Sequence, residues 1–163
     1  MNISLCKLDK SLKQLLSAYI LILSIGVILG ILYVRLNTNL TLTGTVERFN
    51  GSDIVKSDFD VPEHYPKPLN ELLLTTHNHF IGFSFIFLTI GLIFYFNSII
   101  TGVFKTILIV EPFVSILLTF GSIWGMRFID DLFVYLLFIS SVLMYLSYFI
   151  MAVTSTYELI FKK

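Results

Sequence analysis

The chain has 163 residues, 56% of them hydrophobic and 13% charged, with 11 basic and 11 acidic side chains. A soluble domain carries about a quarter charged residues, so a mean hydropathy of +0.86 excludes an ordinary water-soluble globule. Zero formal net charge speaks against a nucleic-acid partner, and the single cysteine, Cys6, allows neither an intrachain disulfide nor a CxxC metal or haem-attachment motif.

Residues 1–14 form a short basic tail with Lys7, Lys10 and Lys13. Residues 15–34 are apolar and uncharged, long enough to cross a bilayer of about 30 Å. No small-residue cleavage site follows, so the run reads as a retained signal-anchor helix. Gly26 and Gly30 within it have the GxxxG spacing that permits close helix contact in lipid.

Residues 35–70 form the one sizeable segment outside the membrane. Leu40-Thr41-Leu42-Thr43 alternates, residues 45–49 are β-prone, and Asn50-Gly51 follows. That pattern predicts a small β-hairpin on the outward membrane face. Pro62, Pro66 and Pro68 hold the next stretch extended, and Asn70 is the expected N-cap of the second helix. Further membrane segments are expected at about 79–96, 106–125 and 132–152, with Gly121 and Gly125 repeating the GxxxG spacing in the third. The expected fold is an all-α membrane protein, a single domain built as an up-down bundle of four transmembrane helices with a small outward loop. Lysine density near the helix ends places both termini in the cytoplasm, and a bacterial inner membrane is the assumed setting.

Chemistry concentrates on the outward side. His64, His77 and His79 are all of the histidines, and Met126, Arg127 and Asp130 leave the third span on the same side. Imidazole and thioether suit copper or haem iron. On a regular helix, positions i and i+2 diverge by about 200°, so His77 and His79 cannot both face one ion there. A two-haem cytochrome is excluded, because the first, third and fourth spans lack histidine. One outward haem b on His77 or His79 with Met126 remains open, as does a copper or zinc site of all three histidines with Glu71 or Asp130. The alternative is interfacial structure, in which histidine and tryptophan meet headgroups. Arg127 is read as an interfacial anchor, a partner of Glu71, Asp130 or Asp131, or a binder of a ligand carboxylate.

Glu111 is the one acid in an apolar span, followed by Pro112. An intramembrane acid is a functional hypothesis, with Ser115, Thr119 and Ser122 as polar companions. The competing reading starts the third helix at Glu111-Pro112, near the headgroups. HExxH, GxSxG, Walker and GxGxxG motifs are missing, which favours a non-enzymatic protein.

The strings Glu71-Leu72-Leu73 and Thr76-His77-Asn78-His79, with 44–51 and 124–127, resemble small uncharacterised four-helix bacterial inner-membrane proteins whose second helix opens with T-H-x-H. The resemblance implies a shared feature at that helix and carries no activity or cofactor. Three functional readings follow. The first is an accessory or assembly component of an electron-transfer or metal-handling system, with an outward histidine site. The second is a structural subunit bound to another membrane protein or to its own copies. The third is a small transporter using Glu111.

Overall fold

The computed structural model describes residues 4–52, 62 and 64–162. A short 3-10 turn at Leu5–Lys7 precedes five helices: α1 (Lys10–Thr38), α2 (Leu42–Asn50), α3 (Leu69–Tyr95), α4 (Gly102–Phe128) and α5 (Phe133–Ile160). All but α2 are long and apolar enough to cross a membrane. At 1.5 Å per residue each spans about 40 Å, more than the hydrocarbon thickness, so their ends stand clear of it. The expected helical membrane bundle is what the chain forms.

Alternation of direction follows from the connections. The α3–α4 turn carries Asn97, and the α4–α5 turn is closed by the amides of Ile129 and Asp130 on the Gly125 carbonyl, at 2.8 and 3.1 Å. The most extensive packing is between α4 and α5. There Ser115, Ile116, Thr119, Ser122 and Ile123 of α4 and Ser140, Met144, Ser147 and Met151 of α5 are buried. Gly125 lets the hairpin close, because a Cβ at that position would sit 2.5 Å from the Phe133 ring. A Cβ at the other GxxxG glycines, Gly26, Gly30 and Gly121, would meet nothing within 4 Å, so the α1 pair makes no internal close contact and the α4 pair makes one through Gly125 alone. Helix α1 buries only Ile20, Val27 and Thr38. Two cross-helix bonds hold it, Tyr19 to Thr89 at 2.6 Å and Ser24 to Tyr148 at 3.0 Å.

Four local expectations are corrected. The outward hairpin is a helix: Thr41 caps α2 by accepting the Gly44 amide at 3.0 Å, and no strand occurs among the described residues. Gly51, with φ of 91°, terminates that helix. The positive φ that the Asn-Gly pair advertises therefore ends a helix rather than turning a hairpin. Residues 53–55, the expected second strand, lie outside the described residues. Helix α3 starts directly after Pro68, which takes the N-cap position assigned to Asn70. Helix α4 begins at Gly102 and carries Pro112 inside it, which overturns a start at Glu111-Pro112. Proline costs the Leu108 carbonyl its amide partner, yet the helix runs through because Pro112 is buried in the packed interface. Finally, Met126 and Arg127 belong to the last turn of α4 and not to the connecting turn.

The bundle is tied at both ends. On the face holding the termini, Glu158 is fully buried. It accepts the Ser98 amide at 2.6 Å, the Ser98 hydroxyl at 2.7 Å and the Cys6 amide at 3.4 Å. Lys105 reaches back to the Tyr95 and Asn97 carbonyls at 2.6 and 2.7 Å, closing the end of α3. On the opposite face, Asn50 of α2 donates to the Met126 carbonyl at 2.9 Å and to Asp131 at 2.6 Å.

Candidate functional site

The residues expected to face outward are dispersed. His77 and His79 are exposed on regular α3 helix, where their spacing turns them to different sides. His79 Nδ1 lies 2.8 Å from the Thr75 carbonyl. A carbonyl only accepts, so Nδ1 carries the proton and Nε2 is left free. The ring leans on Phe83 and Phe120, with centroids 5.7 and 5.2 Å away. Met126 is 2% exposed, inside the packed hairpin, and shares no open site with the exposed histidines. His64 is tied through its backbone to Ser52, at 2.9 and 3.0 Å. Among the described residues no three His, Cys, Asp or Glu side chains gather as a metal-holding group.

The supporting polar residues serve local structure. Glu71 pairs with Lys67 at 2.8 Å across the first turn of α3. Asp130 accepts the Leu132 amide at 2.8 Å. Arg127 donates Nε–H to the Lys67 carbonyl at 3.4 Å, and its guanidinium lies 5.4 Å from the Phe128 ring. The only ion pair among the described residues is Lys67–Glu71, so the expected partners of Arg127 do not engage it.

Glu111 stands differently. It lies nine residues into α4, about 13 Å along a helix of about 40 Å, and Ser147, which it meets, is at the middle of α5. Ser115, one turn along α4, donates to one carboxyl oxygen, and Ser147 donates to the other at 2.6 Å. No cation pairs with Glu111 among the described residues. The helices are otherwise uncharged at this depth: Lys13 to Arg35, His79 to Lys105 and Asp131 to Glu158 enclose no charged residue, and Lys105 to Arg127 encloses Glu111 alone. One flank of Glu111 opens to an apolar cleft of about 310 Å³ lined by Val103, Thr106, Ile107, Val110 and Val114.

This shell can do one thing well. A serine hydroxyl donates to a carboxylate, and after rotation accepts from a carboxylic acid. A lysine or arginine could do only the first. A carboxyl held by hydroxyls alone can thus gain or lose a proton without rearranging the helices. Sequence reading had found Glu111 and Ser115 but missed Ser147, its partner across the seam. The signal was present: Ser140, Ser147, Ser155 and Glu158 recur at helical spacing on α5, with Met144 and Met151 between them. Small polar residues repeating along an apolar helix mark a helix–helix seam.

A family model described as a transmembrane helical domain matches residues 39–163. That stretch begins where α1 ends and takes in α2 to α5. No curated protein and no solved structure matches the chain.

Proposed function

The chain belongs to the Aq_1264_TM family of transmembrane helical domains, and from that premise we propose that it is a proton-handling membrane subunit whose working group is Glu111. It is an integral, polytopic membrane protein. The observation that supports the reading is the pairing of Glu111 with Ser115 and Ser147 at the α4–α5 seam, with no competing charge at that depth. An ionisable residue inside a bilayer costs at least about 2.5 kcal/mol. Packing glue alone does not need that cost, since the Thr119–Ser140 contact joins the same helices with two neutral hydroxyls at 2.8 Å.

The test is infrared spectroscopy of the lipid-reconstituted protein over a pH titration. A carboxylic-acid carbonyl band that comes and goes reversibly with pH, and that is missing in Glu111→Gln, is the expected result. Identical spectra for the two proteins at every pH would refute the assignment.

A second reading rests on His79. Its Nδ1–H is fixed on Thr75, which leaves Nε2 as a metal-ligating atom, a common arrangement for ligating histidine. An accessory role in electron transfer or metal handling, with haem b or copper at the outward face, would use that nitrogen. The absorption spectrum of purified protein, oxidised and reduced, with His79→Ala beside it, decides for or against it.

A further inference from the structure

We propose that the cleft beside Glu111 binds a small organic cation of the quaternary ammonium class, and that this cation and the proton compete for the same carboxyl. This rests on the reading of Glu111 as the proton-exchanging group, and it names what else that group takes. The cleft holds about 310 Å³ and is lined by Val103, Thr106, Ile107, Val110, Glu111 and Val114. That is the small end of ligand clefts, which run from about 300 to 1,000 Å³. Val103 is the second residue of α4, at the end that stands clear of the hydrocarbon. Glu111 lies eight residues further on, about 12 Å deeper along the helix. The cleft therefore leads from the headgroup level, on the face of the termini, to the carboxyl. Val103, Ile107, Val110 and Val114 are each more than half exposed, so the cleft is open to lipid along its length.

Glu111 supplies the charge of this cleft. Ser115 and Ser147 each take one lone pair, on opposite carboxyl oxygens, and each oxygen keeps another. No cation pairs with Glu111 among the described residues, and the cleft is the open side from which one can arrive. The walls select its chemistry. Val103, Ile107, Val110 and Val114 present hydrocarbon, and Thr106 is five residues from Glu111, more than a full turn away. A sodium ion entering here gives up its water shell and gains little beyond the carboxylate. A primary ammonium carries three N–H donors, and those that miss the carboxylate are stranded against apolar walls. A quaternary ammonium has no donor to strand. Its alkyl arms match the aliphatic lining, and its charge meets Glu111.

The exchange keeps charge balanced. Without the cation, a protonated Glu111 is a neutral carboxylic acid. As the cation enters, the Glu111 O–H bond breaks, the proton leaves to bulk water, and a neutral ion pair remains. Neither state leaves a bare charge in lipid, which is the costly case. The serine hydroxyls stay in place through both states, donating to the carboxylate and turning to accept from the acid. Other titratable groups stand apart. On α4, the Lys105 amine is held on the Tyr95 and Asn97 carbonyls. On α3, Glu71, His77 and His79 belong to the opposite end, and Tyr95 is its last residue. On α5, Tyr145 and Tyr148 stand either side of Ser147 in the chain, with Tyr148 bonded to Ser24 at 3.0 Å. Glu158 is eleven residues beyond Ser147. None of these groups lines the cleft.

The experiment titrates the Glu111 carboxylic band of the protein in lipid nanodiscs, by infrared spectroscopy, with tetraethylammonium chloride present. The pH midpoint of the band should fall as the cation rises, by about one pH unit per tenfold once the site is saturated. Sodium chloride at the same ionic strength should leave the midpoint in place, and so should tetraethylmethane, the uncharged twin of the cation. Val110→Phe puts a ring into the cleft from a lipid-facing position. It should keep the band and need about tenfold more tetraethylammonium, or beyond, for the same shift. An equal shift from sodium would overturn the ligand class, and one from tetraethylmethane would overturn recognition by charge. A wild-type response in Val110→Phe would overturn the cleft as the site. A band that titrates with pH but ignores tetraethylammonium would sink the cation and leave proton exchange at Glu111 standing. Absence of any Glu111 band in the wild type would instead remove that parent reading, and the cation with it.

Discussion

Gly125→Ala is the most direct probe of the α4–α5 hairpin. The added methyl would lie 2.5, 2.6 and 2.8 Å from three carbons of the Phe133 ring. Carbon atoms rest at about 3.5–4.0 Å, so ring or helix must retreat by about 1 Å. Overpacking of that kind costs about 1–3 kcal/mol. Alanine also gains up to about 1 kcal/mol of helix propensity over glycine, which would obscure the result in isolation. Gly121 removes the ambiguity: it is one turn away on the same helix and meets nothing within 4 Å. Gly121→Ala collects the propensity gain without the clash, so the difference between the two variants isolates the packing cost. Chemical unfolding in mixed micelles, followed by circular dichroism, should find Gly125→Ala less stable than Gly121→Ala by about 1–3 kcal/mol. In a Phe133→Ala background the gap should close. Equal stability of the two alanine variants in the wild-type background would mean that the ring moves aside freely, and that the hairpin closure does not depend on a glycine.

Glu158→Ala should destabilise the face of the termini by about 1–3 kcal/mol in all, because the Ser98 and Cys6 amides lose the buried carboxylate that accepts them. Hydrogen exchange of Leu5 and Ser98 should rise selectively, and unchanged protection there would refute the latch. Trp124 is the only tryptophan, and its indole N–H donates to Thr76 at 2.9 Å. Thr76→Val should therefore shift the intrinsic fluorescence and cost about 1 kcal/mol, whereas an unmoved spectrum would mean that α3 and α4 do not meet there.

How much of this was readable in the chain varies with the kind of signal. The four membrane helices were, because about 20 uncharged apolar residues in a row admit few other structures in lipid. Their true ends were not: Lys105 and Arg127 look like turn residues, yet both lie within α4, Lys105 with its amine on the end of α3. Asn50-Gly51 was read correctly as a place of unusual backbone and wrongly as a hairpin. Thr45 and Phe49, four apart, fit one face of a helix as well as they fit alternate positions of a strand, and only tertiary packing separates the two. The histidines drew attention because their side chains are versatile. The structure uses His79 locally, against its own helix and two phenylalanines, and among the described residues no counterpart gathers the others.

Serines were undervalued for the opposite reason. In an apolar helix Ser115, Ser140 and Ser147 look like small spacers, and the close α4–α5 contact shows that they are spacers. The same smallness brings the two backbones near enough for Ser147 to reach Glu111 and for Thr119 to reach Ser140. Packing and polarity are then one property of the seam. A substitution that widens it, such as Ser147→Leu, would separate Glu111 from its second donor and open the hairpin at once. Ser147→Ala keeps the packing and removes only the hydroxyl. Comparing those two variants distinguishes a carboxyl that merely occupies the interface from one that the interface is built to serve.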